Sequence, residues 1–120
     1  MNIQWNTTHI NLKELIKISR GDRDISYKYL QQFKELIPKR TESLKKSLKS
    51  EDRKMVRQIL HQMSPQLQFF GIKDITKSIR RLELEYETMP IAELTELVQN
   101  ILVKLDFAIK DVNLILEENY

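Results

Sequence analysis

The chain has 120 residues, enough for one domain that buries most of its apolar surface without staples. It has no cysteine, which excludes disulfides and thiolate metal sites, and its 20 basic and 17 acidic residues leave a net charge of +3, too small an excess to demand a nucleic-acid partner. Only 2 Gly and 3 Pro, with Leu, Ile, Lys and Glu prominent, leave little room for turns and imply an all-α chain with short connections.

Residues 1–9 read as an N-terminal arm, polar apart from Ile3 and Trp5, and residues 10–120 as the helical domain. Asn11 is the expected N-cap of a short helix that turns Leu12, Leu15, Ile16 and Ile18 inward and stops at Arg20-Gly21-Asp22. A long helix follows from about Asp24 to Lys49, with Leu30, Phe33, Ile37, Leu44 and Leu48 at three- and four-residue spacing. Pro38 lies inside it and predicts a kink, because its ring crowds the carbonyl of Lys34. Ser50 is placed to cap the central helix, whose first turn carries Glu51 and Asp52. That helix ends at Gly71, and another, Ile72 to about Tyr86, buries Ile72, Ile75, Ile79 and Leu82. Pro90 opens the last helix, which runs to about Glu118. Four substantial helices after a short one predict an antiparallel up-down four-helix bundle.

On the central helix, a step of 100° per residue gathers Val56, Ile59, Met63, Leu67 and Phe70 into one apolar stripe. His61 falls on the opposite face with Lys54, Arg57, Gln58, Ser64, Pro65 and Gln68, so it stands in water at mid-helix. Neither His61 nor His9 has a second histidine or carboxylate at metal-ligand spacing on its own face, so no metal is expected. Glycine-rich phosphate loops, a nucleophile elbow and paired catalytic carboxylates are missing, which argues against a self-contained enzyme or a bound cofactor. Basic residues concentrate at Lys45, Lys46, Lys49, Arg53, Lys54 and Arg57, then at Lys73, Lys77, Arg80 and Arg81. These runs read either as solvated helix faces or as a docking surface for an anionic partner around His61. No aromatic residues interleave with them, which weighs against nucleic acid. An exposed imidazole on a stiff helix with small or flexible neighbours suits a phosphoryl-carrying histidine, since its ring nitrogen is open to an in-line donor and nearby cations offset the added charge.

The sequence resembles the histidine phosphotransfer (HPt) domains of multistep two-component signalling. Their usual core is His-x-x-Lys-Gly-Ser/Ala with a glycine ten residues after the histidine, a spacing held here by His61 and Gly71. The likeness extends through Leu12, Leu15, Gly21-Asp22, Phe33, Pro38, Leu44, Leu48 and Asp52 to Leu82-Glu83, and covers about Ile10 to Glu118. It implies a phosphoacceptor at His61 that passes a phosphoryl group between receiver-domain aspartates, the magnesium belonging to the receiver. It also implies that Glu83 orients the ring through its other nitrogen, and that Arg57, Gln58, Ser64, Pro65, Gln68, Lys73, Lys77 and Arg80 form the receiver-docking face. The family's lysine, glycine and small residue are Ser64, Pro65 and Gln66 here, and Arg57 or Arg80 is placed to stand in for the lysine. Pro65 also removes the N–H that would bond the carbonyl of His61.

The resemblance implies a phosphocarrier without independent catalytic activity, either free-standing or part of a hybrid histidine kinase. An adaptor that binds a receiver or kinase without accepting phosphate is the alternative, and a small basic nucleic-acid binder a third. No apolar run reaches the roughly 18 residues of a membrane span, and no signal-peptide pattern opens the chain, so the expected setting is cytoplasmic, without membrane contact.

Overall fold

The computed structural model describes residues 9–72 and 74–120. The expectations for the arm before His9, and for Lys73, fall outside the described residues. Five helices account for most of the remainder: α1 (Lys13–Ser19), α2 (Arg23–Lys49), α3 (Arg53–Phe69), α4 (Ile75–Glu85) and α5 (Ile91–Asn119).

The apolar spacing of α2 and α5 explains why the two longest helices pair. Leu30, Phe33, Ile37 and Leu44 on α2 are fully buried, as are Val98, Ile101, Leu105 and Val112 on α5. At one end Tyr120 is fastened to the start of α2, its hydroxyl hydrogen-bonded to that of Ser26 at 2.5 Å and its ring 5.2 Å from Tyr27. Helix α3 packs on α2, α4 on α3, and α5 closes against both α4 and α2, while α1 lies on α2. The five helices form one compact body of 48 × 21 × 20 Å.

Several local expectations change. The α3 cap is Asp52 rather than Ser50: its side chain accepts from the backbone N–H of Met55 at 3.1 Å. Ser50 closes α2 instead, and the chain reverses at Glu51 with φ +54°. Asn11 does not sit at the N-cap of α1, which is Leu12, yet its Oδ1 still accepts from the N–H of Lys13 at 3.0 Å. Ile16 and Ile18 are exposed, because seven residues of helix present one narrow stripe and Leu15 takes it. Leu48 is half-buried. Ile72 is buried, although α4 begins only at Ile75. As expected, Pro38 does not stop α2, which runs on through it.

The end of α3 is held by a close backbone approach. The N–H of Asn11 donates to the carbonyl of Phe70 at 3.0 Å, and Phe70 packs its ring 4.4 Å from that of Phe33. Gly71 takes φ +58°, and a Cβ there would lie 2.7 Å from the carbonyl oxygen of Asn11. Only glycine suits both the backbone angle and the contact.

Candidate functional site: the exposed histidine of α3

Helix α3 buries Val56, Ile59, Leu60, Met63 and Leu67. Leu60 widens the apolar stripe by one flank beyond the 3.6-residue pattern read from sequence, since α3 packs against two helices, α2 and α4. Burying that broad face fixes the rotation of the helix and leaves His61 outward, with 63% of its side chain accessible. Gln58, Pro65 and Gln68 are also exposed; Arg57 and Ser64 are half-buried. The amide of Gln68 donates to Ser64 Oγ at 3.4 Å, one turn away.

Glu83 comes to the imidazole from α4. Its Oε1 lies 2.9 Å from Nδ1 of His61, and 29% of its side chain is accessible. An ionised carboxylate only accepts hydrogen bonds, so in this pair Nδ1 carries the proton. The lone pair of the neutral ring is then on Nε2, the nitrogen Glu83 does not touch. In that tautomer the ring is oriented by Glu83 and its lone pair lies on the nitrogen that the carboxylate leaves open. A positive charge arising on the ring during attack would be met by the carboxylate.

The cations near the site are unequal. Arg53 donates to the carbonyls of Tyr86 (2.9 Å) and Met89, so it fastens the α4–α5 connection to the start of α3. Arg57 lies over the Tyr86 ring, 6.0 Å from its centroid. The Tyr86 phenol is held above its ordinary value of 10.0, first by its hydrogen bond to Glu87 and then by burial. Arg81 turns away from His61, pairing with Glu85 at 3.2 Å and with Glu93; those two hydrogen bonds hold its guanidinium above the usual arginine value. Lys77 and Arg80 are exposed and have no ion pair among the described residues.

Of the residues singled out from sequence, the structure brings His61 and Glu83 into contact and gathers Arg57, Gln58, Ser64, Pro65 and Gln68 on the same helix as His61. Lys77 and Arg80 stand on α4, the helix that supplies Glu83. Tyr86 and Arg53 carry structural contacts that the sequence pattern did not single out, because both depend on how α4 approaches α3. Leu84, next to Glu83 in the chain, is 81% accessible, an exposed apolar side chain on the helix that supplies Glu83. Among the described residues no group of three or more His, Asp or Glu could hold a metal ion, and no helix is long and apolar enough to cross a membrane. Comparison with protein-family models, with curated proteins and with solved structures yields no match.

Proposed function

We propose that this chain is an HPt-type phosphocarrier, accepting a phosphoryl group on His61 from a receiver-domain aspartate and donating it to another. The observation that carries the reading is the pairing of an exposed mid-helix imidazole with Glu83 at 2.9 Å, which frees Nε2 for attack. The helix pairings support it too. In this reading α2 to α5 form an antiparallel up-down four-helix bundle that presents His61 rigidly, and α1 is the short leading helix.

In the transfer, the Nε2 lone pair attacks phosphorus in line, and the P–O bond to the donor aspartate breaks. The carboxylate leaves with the electron pair, and the Nδ1 proton stays in its hydrogen bond to Glu83. The receiver supplies the acidic pocket and its Mg2+, and this chain supplies the nucleophile. The docking face comprises Arg57, Gln58, Ser64, Pro65 and Gln68, bordered by Lys77 and Arg80; Pro65 keeps it compact and Leu84 adds apolar area, since charge gives on-rate more than affinity. The reaction places the chain in the cytoplasm beside its receiver, free or within a hybrid kinase.

The deciding experiment mixes the protein with a receiver charged with labelled phosphoryl and follows label onto the protein, with His61→Gln in parallel. Transfer to the unaltered protein and none to the variant is the expected result. Stable binding of the receiver with no label would favour the adaptor, the reading that Ser64-Pro65 in place of Lys-Gly motivates. Salt-sensitive DNA or RNA binding would point to the third reading.

A further inference from the structure

We infer that Arg80 is the cation that holds the phosphoryl oxygens on His61, an inference that rests on the phosphocarrier reading. A phosphoryl group on Nε2 brings up to two negative charges beside the Glu83 carboxylate, so the site needs a cation with no other commitment.

Each basic residue on the facing helices can be assigned. Arg53 is spent on the Tyr86 and Met89 carbonyls, Arg57 on the Tyr86 ring, and Arg81 on Glu85 and Glu93. Lys54 shares the face of His61 but lies two turns away, about 10 Å along the axis. The register of α3 against α4 selects among the others. Arg57 meets Tyr86 and, one turn on, His61 meets Glu83, so numbering rises along α3 as it falls along α4. Arg80 is one turn before Glu83, about 4.5 Å along α4, and only about 60° around it. It therefore stands level with the turn of α3 that carries Ser64, and is exposed. From there a long, flexible guanidinium reaches past Glu83 to the outer nitrogen of the ring, where its planar fork fits two phosphoryl oxygens. Lys77 lies a further turn away and about 120° around from Glu83. The carboxylates facing Arg80 are Glu83, engaged with His61, and Glu87, engaged with Tyr86. Neither neutralises it.

The test uses phosphoramidate, a donor small enough to need no docking surface. The nitrogen–phosphorus bond of the donor breaks as Nε2 bonds phosphorus, and ammonia departs with a proton. Phosphohistidine is followed by 31P NMR, with His61→Gln setting the background that includes His9. Arg80→Gln should accumulate phospho-His61 about fivefold more slowly than the unaltered protein, the scale of a well-placed exposed charge pair. Arg80→Lys should recover much of the rate, the deficit of Arg80→Gln should shrink at high salt, and the charge-matched Lys110→Gln should behave as the unaltered chain. Circular dichroism should be the same for all. Equal rates for Arg80→Gln and the unaltered protein would overturn the assignment, as would a larger loss on Arg57→Gln. If the unaltered protein accepts label from a charged receiver while Arg80→Gln is equally fast, Arg80 alone is wrong. If His61 takes label from neither donor, the phosphocarrier reading falls and the role of Arg80 with it.

Discussion

Replacing Gly71 with alanine tests the junction that ends the histidine-bearing helix. Two costs combine there. An alanine at φ +58° pays about 1 kcal/mol for the left-handed backbone. Its Cβ would also sit 2.7 Å from the carbonyl oxygen and 2.8 Å from the Cβ of Asn11, so the segment leading into α1 must retreat. That retreat strains or breaks the hydrogen bond from Asn11 N–H to the Phe70 carbonyl, worth about 1 kcal/mol. The total is about 2–3 kcal/mol. Gly21 provides the internal control: its φ is +79°, but a Cβ there meets nothing within 4 Å, so alanine should cost only the backbone part, about 1 kcal/mol. In urea unfolding, with a slope of about 2 kcal/mol per molar, Gly71→Ala should lower the midpoint by about 1 M and Gly21→Ala by about 0.5 M. Equal shifts at the two sites, or a larger one at Gly21, would refute the claim that α1's leading segment is pressed against the end of α3.

Four further outcomes follow from the same contacts. Asp52→Ala should cost about 1 kcal/mol in thermal or urea unfolding through loss of the Met55 cap, whereas Ser50→Ala should be close to neutral. Met63→Ala, two residues beyond His61 and fully buried, should cost about 2–5 kcal/mol, while His61→Gln should stay within about 0.5 kcal/mol of the unaltered protein because its side chain is exposed. Glu83→Leu should slow label transfer to His61 with little change in unfolding midpoint, since the ring then loses the partner that fixes its tautomer. Tyr86, whose phenol is raised in the folded state, stabilises the fold below pH 10.0 and loses that contribution as pH climbs through the folded value. A difference titration at the tyrosinate absorbance between the unaltered protein and Tyr86→Phe should therefore rise above pH 10.0, not below it.

What the residues determine by themselves is local. A 3.6-residue period over Val56 to Phe70 requires a helix, and the same period places His61 opposite the buried stripe whichever partners cover that stripe. Caps were less legible: Ser50 and Asp52 both carry an acceptor suited to an N-cap, and the choice fell to Asp52 because the reversal between α2 and α3 is made at Glu51. Position along the axis, by contrast, is not encoded in either helix alone. Periodicity places Glu83 at the edge of the α4 stripe, but whether it meets an imidazole, a serine or water depends on how far α4 slides along α3. That offset is set by packing of Ile79 and Leu82 within the core and by the Arg53 and Arg57 contacts to Tyr86. The same offset separates Arg57 and Arg80, two indistinguishable surface arginines in the sequence, into one laid over an aromatic ring and one left in solvent. Hydrophobic burial acts on whole faces and fixes rotation from the sequence; the meeting of two polar side chains needs the translation that only the packed helices supply.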